Sequence, residues 1–163
     1  MKRVLVLSDS HGNVNNMVHA VKETDPDMII HLGDCWADAV RLKKKFPEIP
    51  MEQVPGNCDC RQEVQERILL IEGKKILICH GHTFNVKAGY LNLEYAAEER
   101  KVDAALFGHT HRVFYDKHNR IAYMNPGSIG QPPYGIPPSY GVLQVDGSSN
   151  TIATDVIYLE ENN

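Results

Sequence analysis

The sequence contains no apolar run that approaches the roughly 20 residues a helix needs to cross a membrane. Its nearest candidate, ILLIEGKKILIC, is interrupted by Glu72, Gly73 and two lysines. The amino-terminal MKRVLVLSDS resembles a signal peptide only in its first residues, because its apolar run stops at Ser8 and Asp9. We therefore expect a cytoplasmic protein with a buried first strand and no membrane partner.

Positive charge is also scarce, since 17 Lys and Arg residues stand against 21 Asp and Glu, for a net charge of −4. The only basic run, RLKKKF at residues 41–46, is typical of the solvated end of a helix. A nuclease acting on polymeric nucleic acid would normally need a basic groove or an added capping domain, and neither is present. Polymeric nucleic acid is therefore not expected as a partner.

The four cysteines lack the two closely spaced pairs that are typical of a structural zinc site. Without a secretory signal, a disulfide framework is not expected either. We expect buried free thiols at Cys35 and Cys79 and a structural role for Cys60.

The length of 163 residues and the 42% hydrophobic composition fit one globular domain spanning residues 1–163. Apolar periodicity predicts buried strands and helices in alternation. The strands are expected at residues 3–8, 28–32, 51–55 and 103–108, and the helices at 14–24, 36–46 and 90–101. The second helix should turn Val40 and Leu42 inward.

Three further segments are typical of β-hairpins. They cover residues 66–79, turning at Glu72-Gly73, residues 113–125, turning at His118-Asn119, and residues 139–160, turning at 146–150. A long proline- and glycine-rich loop at 125–139 separates the last two. Two sheets, one mostly parallel and one mostly antiparallel, with helices outside them, would satisfy this pattern.

Polar clusters follow five of the predicted strands. They are SDSHGN (8–13), LGDC (32–35), PGNCD (55–59), CHGH (79–82) and FGHTHR (107–112). Because the carboxyl ends of parallel strands open onto one crevice, we expect the clusters to converge. Each piece alone is weak, since a lone DSH or GD is more often a helix cap or a turn.

The converging side chains combine imidazole, carboxylate and amide groups. They are Asp9, His11, Asp34, Asn57, His80, His109 and His111. This set suits divalent ions such as Mn²⁺, Zn²⁺, Fe²⁺ or Ni²⁺, and seven ligands suffice for two ions that share one carboxylate.

In these motifs the chain resembles the calcineurin-like metallophosphoesterases, whose pattern is D-x-H, G-D, G-N-[HC]-[DE], H-G-H and G-H-x-H in that order. More closely, it resembles the small single-domain bacterial and archaeal phosphodiesterases of that superfamily, which also carry N-P-G-S, here residues 125–128. The resemblance implies an α/β fold arranged as a four-layer α/β/β/α sandwich.

The resemblance also implies a role for each ligand. Asp9, His11 and His111 would hold one metal ion, Asn57, His80 and His109 would hold a second, and Asp34 would bridge them. Mn²⁺ is the preferred ion, with Ni²⁺, Zn²⁺ or Fe²⁺ as alternatives. A metal-bridging hydroxide would be the nucleophile in the hydrolysis of a small phosphodiester.

One motif departs from much of the superfamily, because Cys58 stands where many members have a histidine that assists the leaving group. His82 is the alternative general acid, although it could equally serve only as a hydrogen-bonding neighbour of a ligand. Asp59 could orient a ligand or cap the next helix, and Asn13 could cap a helix or approach the phosphate.

A second class of function stays open at this point. The retromer complex contains a subunit that resembles the same fold but serves as a protein-binding scaffold with altered metal ligands. All seven ligand positions carry competent side chains here, which favours the enzyme. The sequence leaves association into a homo-oligomer open.

Overall fold

Ten strands and three α-helices make up the computed structural model, which describes residues 1–160. The strands are β1 (Lys2–Leu7), β2 (Met28–His31), β3 (Met51–Gln53), β4 (Glu66–Ile71), β5 (Lys74–Cys79), β6 (Ala104–Leu106), β7 (Val113–His118), β8 (Ile121–Pro126), β9 (Ser139–Asp146) and β10 (Thr151–Tyr158). The helices are α1 (Val14–Thr24), α2 (Trp36–Lys45) and α3 (Leu91–Glu99), with a 3-10 turn at His82–Phe84.

The strands form two five-stranded sheets, in the orders β10-β9-β1-β2-β3 and β4-β5-β6-β8-β7. In the first sheet β1 is parallel to β2, and β2 to β3, while the β9-β10 hairpin adds antiparallel strands beyond β1. In the second, β6 is parallel to β5 and β8, while β4 and β7 are antiparallel edges. The expectation of one mostly parallel and one mostly antiparallel sheet is therefore wrong, because each hairpin closes an edge of a sheet that also contains parallel strands.

Alternating side chains of the central strands divide the core into layers. Val4 and Val6 of β1 point between the sheets, where they pack in one cluster with Ile78 of β5 and Leu106 of β6. The intervening Leu5 and Leu7 face the other way and pack with Met17 and Val21 of α1 and Leu42 of α2.

The second sheet repeats this arrangement on its own outer face. Leu77 of β5 and Phe107, just after β6, pack with Leu93 and Ala97 of α3. The order of layers is helix, sheet, sheet, helix, so the predicted four-layer sandwich is confirmed.

Local differences from the expected pattern have simple causes. Val40 is 38% exposed, whereas Leu42 of the same helix is fully buried, because only one of the two lies on the stripe that faces the sheet. The β7-β8 turn lies at Asn119-Arg120 rather than His118-Asn119, since both turn residues adopt positive φ and His118 still pairs with Ile121. The short 3-10 turn was not expected from apolar spacing.

All four cysteines are free thiols. Cys79 is buried as expected and Cys35 is half-buried, but Cys60 is exposed and lies outside the buried core. Among residues 1–160, no helix has the length and apolarity needed to cross a membrane.

Candidate metal centre

The seven polar side chains singled out in the sequence come from the ends of strands in both sheets. Asp9, Asp34 and Asn57 follow β1, β2 and β3 of the first sheet, and His80 follows β5 of the second. His109 and His111 follow β6. The site therefore lies along the seam between the sheets, not at the edge of one open sheet.

Asp9 uses its two carboxylate oxygens differently. Oδ2 accepts hydrogen bonds from Ser8 Oγ at 2.6 Å and from the His109 backbone N–H at 3.1 Å. Oδ1 is buried, makes no hydrogen bond, and lies 3.2 Å from His111 Nε2. Burial raises the pKa of Asp9, but the adjacent His111, together with His80 and Ser8, brings that pKa below its ordinary value. The carboxylate is thus charged and aims one free oxygen into the site.

The two carboxylate oxygens of Asp34 also differ in their contacts. Its Oδ1 accepts a hydrogen bond from the Cys58 backbone N–H at 3.0 Å. Its Oδ2 faces two imidazoles, 3.6 Å from His11 Nε2 and 3.5 Å from His80 Nε2. One carboxylate oxygen of Asp34 therefore lies between the imidazoles of His11 and His80.

Backbone carbonyls orient two of the histidines. His80 Nδ1 lies 2.8 Å from Leu32 O, and His111 Nδ1 lies 2.7 Å from Gln131 O. Since a carbonyl only accepts, each Nδ1 carries the hydrogen and donates it, which in the neutral ring leaves the Nε2 lone pair directed into the site.

Four of the residues form one compact group, because one ligand atom each from Asp9, His11, Asp34 and His111 lies within 4.8 Å of the others. Asn57 lies beside this group, with its Oδ1 3.1 Å from His80 Nε2.

The remaining two histidines border His80. The ring centroid of His109 is 5.0 Å from that of His80, and the His82 centroid is 5.4 Å from it. Burial, together with His80, lowers the pKa of His109 to about 4 and also lowers the pKa of His82. Both rings are therefore neutral near pH 7, the form in which imidazole binds metals.

His111 behaves oppositely, because its contact with Asp9 raises its pKa. The same pairing lowers the pKa of Asp9, so the two shifts agree in direction.

Two glycines let the loops approach one another closely. A Cβ on Gly56 would lie 2.0 Å from Asp34 Oδ1, and a Cβ on Gly108 would lie 1.9 Å from Ser8 Oγ. These glycines are needed for space, since a side chain at either position would enter the site.

Asp59 ties together the loops after β2 and β3. One carboxylate oxygen accepts from the backbone N–H groups of Cys35 and Trp36 at 2.9 and 2.8 Å. The other accepts from Asp34 N at 3.1 Å and Gly56 N at 2.7 Å. Asp59 therefore orients Asp34, one of the two roles that the sequence left open. The helix that it caps is α2, which precedes it in the chain, and not the next helix. Asn13, in contrast, caps α1 through a bond from Asn16 N to its Oδ1.

The N-P-G-S segment supports the site from the second sheet. Ser128 Oγ donates to Asp9 O at 2.8 Å and accepts from Gln131 N at 2.7 Å. Asn125 Nδ2 donates to Gly108 O and to Thr110 Oγ1, both at 3.0 Å. The segment thus fixes the loops that carry Asp9, His109 and His111.

Most of the chain matches one known protein family. The family model described as the calcineurin-like phosphoesterase superfamily domain matches residues 1–148. The chain belongs to this superfamily.

Several relatives are named for phosphoester chemistry. The chain is 35% identical over 153 residues to the probable metallophosphoesterase YsnB of Bacillus subtilis, covering 91% of this chain and 88% of YsnB. It is 26% identical over 173 residues to the phosphodiesterase YfcE of Escherichia coli, covering 90% and 89%.

Solved structures share the fold. A Streptococcus pneumoniae protein described as a predicted phosphoesterase superimposes with a TM-score of 0.79 at 26% identity, over 96% of this chain and 89% of that one. Vacuolar protein sorting 29 from Cryptosporidium parvum gives a TM-score of 0.81 at 19% identity, over 99% and 93%. The second likeness shows the fold alone.

The donor set of this phosphoesterase-family chain fits divalent metal. Asp9 Oδ1 and His11 Nε2 are buried and have no hydrogen-bond partner. They face the other carboxylate and imidazole acceptors without an intervening donor, an arrangement that costs free energy unless a cation neutralises it. Imidazole and carboxylate are the ligand types that such ions prefer.

Other residues that support the centre were not singled out in the sequence. Ser8, Ser10, Asp38 and Ser128 are buried polar residues of this kind, all with less than one-tenth of their surface exposed. The N-P-G-S motif was noticed only as a family mark. Its structural task depends on contacts between residues far apart in the chain, which no local pattern records.

Proposed function

We propose that this protein is a dinuclear metal-dependent phosphodiesterase that hydrolyses small phosphodiesters. The observation that carries the proposal is the pair of buried, unpartnered ligand atoms, Asp9 Oδ1 and His11 Nε2, facing Asp34 and His111. The family of the chain and the names of its relatives support hydrolase chemistry.

The ligands divide into two sets around Asp34. Asp9, His11 and His111 would hold one ion, and Asn57, His80 and His109 would hold the other, with Asp34 shared between them. Bound divalent ions, with Mn²⁺ preferred, would acidify a bridging water to supply the nucleophile and would neutralise charge on the phosphate. The protein itself keeps Asp9 charged and His80 oriented for that task.

The substrate is proposed to be small. A groove of about 420 Å³ adjoins the centre and is lined by His11, Gly12, Asn13, Val14, Asn15 and Gly130. That volume falls within the range of small-molecule sites. With a net charge of −4, the chain offers no general attraction for a long polyanion.

The leaving group is proposed to depart without strong help from a protein acid. Cys58 occupies the family's histidine position, and its Sγ accepts only a weak hydrogen bond from Asn57 Nδ2 at 3.6 Å. His82 Nδ1 is buried and unpartnered, so no hydrogen bond aims that ring at a substrate. Activated aryl phosphodiesters should therefore react faster than alkyl ones. Equal rates on the two classes would remove this part of the proposal.

A protein-binding scaffold is the second candidate, because vacuolar protein sorting 29 shares the fold. Ligand integrity discriminates between the two, since a scaffold needs no metal-binding side chains. All seven candidate ligands are competent in this chain, and we therefore favour the enzyme.

Metal analysis of the purified protein, combined with hydrolysis of an aryl phosphodiester in Mn²⁺, Ni²⁺, Zn²⁺ and Mg²⁺, tests the proposal. Asp34→Asn and His109→Ala should each abolish most activity while the fold persists. The matched controls are Asp116→Asn and His118→Ala, at exposed positions of β7. They should leave both metal binding and the rate of hydrolysis unchanged. Wild-type protein that binds no divalent metal and hydrolyses nothing would overturn the proposed function.

A further inference from the structure

A buried carboxylate lies behind the candidate metal centre, on the first turns of α2. Asp38 is fully buried, and its Oδ2 accepts hydrogen bonds from Ser10 Oγ at 2.8 Å and from the Gly12 backbone N–H at 2.7 Å. These two donors belong to the residues on either side of His11. Asp38 therefore holds the chain immediately before and after a candidate ligand.

His11 depends on that hold. Its backbone adopts a φ of 42°, a left-handed conformation that is strained for a residue with a Cβ. Its Nε2 makes no hydrogen bond that would fix the ring. The direction in which the imidazole points is thus set through the backbone that Asp38 anchors.

Ser10 also connects Asp38 to the loop that carries Asp34. The Gly33 backbone N–H donates to His31 Nδ1 at 3.2 Å, so the hydrogen of the neutral ring is on Nε2, which lies 3.0 Å from Ser10 Oγ. Burial lowers the pKa of His31 to about 4, which keeps the ring neutral. His31 thus donates to Ser10, which leaves the Ser10 hydroxyl hydrogen for Asp38.

A directed series of hydrogen bonds therefore runs from Gly33 through His31 and Ser10 to Asp38. It links the loop after β2 to the loop after β1, and these loops carry Asp34 and His11. Across the two loops, His11 Nε2 lies 3.6 Å from Asp34 Oδ2.

Burial of the Asp38 carboxyl group is not explained by a strong ion pair. Its only cationic neighbour among the described residues is Arg41, 3.4 Å away, and the side chain of Arg41 is 63% exposed. An exposed pair of this kind contributes little, so the cost of burying the Asp38 carboxylate is offset mainly by its hydrogen bonds from Ser10 and Gly12.

We propose that Asp38 is a positioning residue for the metal centre: through Ser10 and Gly12 it fixes His11 relative to Asp34 and thereby sets the affinity for divalent metal. The inference rests on the proposed function, because it presupposes that these residues bind metal. Residues that orient metal ligands typically change metal affinity by about 10–100-fold when they are removed.

The test measures the Kd for Mn²⁺ of metal-free protein by titration calorimetry. Circular dichroism measures the folded fraction of each variant. Asp38→Ala removes both acceptors and should weaken Mn²⁺ binding by about 10–100-fold. Asp38→Asn keeps one oxygen where Oδ2 now accepts both bonds, so it should recover most of that affinity. Arg41→Ala removes only the surface partner and should keep the wild-type Kd.

A spectroscopic measurement separates positioning from a general loss of structure. The visible spectrum of Co²⁺-loaded Asp38→Ala should differ from that of the wild type, because the ligand geometry has changed, whereas Asp38→Asn should restore it. If Asp38→Ala does not fold, Ser10→Ala replaces it, with a weakened Mn²⁺ Kd as the expected result.

The outcomes distinguish this inference from the proposed function. Wild-type protein that fails to bind Mn²⁺ overturns the proposed function, and this inference with it. If the wild type binds Mn²⁺, and Asp38→Ala and Ser10→Ala both bind it with the wild-type Kd, the inference alone is overturned. An affinity loss in Asp38→Ala that Asp38→Asn does not recover also overturns it, because the acceptor oxygen would then not be the cause.

Discussion

His111 Nε2 lies 3.2 Å from Asp9 Oδ1, although the two residues follow strands that belong to different sheets. Their separation depends on how the sheets pack, and the buried cluster around Val6 and Ile78 sets that packing. Short-range contacts then adjust it, since Gln131 holds His111, and Ser128 bonds to the backbone of Asp9.

Ser128→Ala should lower the free energy of unfolding by about 2–3 kcal/mol. The fully buried hydroxyl donates to Asp9 O and accepts from Gln131 N, and its removal leaves both groups without this partner. A buried polar group without a partner costs about 1–3 kcal/mol. Urea unfolding of metal-free protein measures the change. Ser148→Ala, at the exposed β9-β10 turn, is the control. Equal stability of Ser128→Ala and wild type would show that water replaces the hydroxyl.

Asp59→Ala should reduce both stability and Mn²⁺ affinity. Its carboxylate accepts four backbone N–H groups from the loops after β2 and β3, among them that of Asp34. Because Asp59 is only half-buried, water can satisfy part of the loss, and we expect a destabilisation of about 2 kcal/mol. Chemical denaturation and calorimetric Mn²⁺ titration check the two effects. A variant with reduced stability but unchanged affinity would limit Asp59 to capping α2.

Gly56→Ala should impair metal binding and hydrolysis. The new Cβ would lie 2.0 Å from Asp34 Oδ1, so the carboxylate or the loop must move. Gly73→Ala is the matched control, because no heavy atom lies within 4 Å of its Cβ position and its φ of 79° adds only local strain. The control should lose about 1 kcal/mol of stability and keep its activity. Comparable activity in the two variants would contradict the prediction.

Acid should destabilise the metal-free protein through His31. Because its folded-state pKa is lowered to about 4 from an ordinary 6.5, the unfolded state binds more protons between these values, and stability falls as the pH drops. The loss from this group should be about 2 kcal/mol between about pH 7.5 and about pH 5. Urea unfolding at both pH values measures it. His31→Gln should lack this component, and an identical pH dependence in the variant would refute the assignment to His31.

Much of the fold follows from local sequence patterns. The 3.6-residue spacing of Met17 and Val21 defines α1, and continuous apolar runs define β1 and β5. The candidate ligands were singled out because they follow predicted strands, and five of the seven stand next to a glycine. The assignment of individual ligands to two ions stays a prediction that came from the family resemblance.

Contacts between segments that are far apart in the chain could not be predicted from local sequence patterns. The mixed character of each sheet depends on which edge a hairpin joins, and the network of Ser10, His31 and Asp38 joins three elements. No local pattern in the sequence distinguishes Asp38 from an ordinary polar residue of a helix. Only the packing of α2 against β1 and β2 shows that its carboxylate is buried.

The left-handed backbone of the site has a consequence for how this chain could evolve. Five candidate ligands adopt positive φ although none is glycine, namely Asp9 (54°), His11 (42°), Asp34 (56°), His109 (71°) and His111 (58°). Each conformation costs on the order of 1 kcal/mol, which a glycine would avoid. Selection for stability alone would therefore erode these side chains one by one. A lineage that used the sandwich only to bind other proteins would have had every reason to lose them.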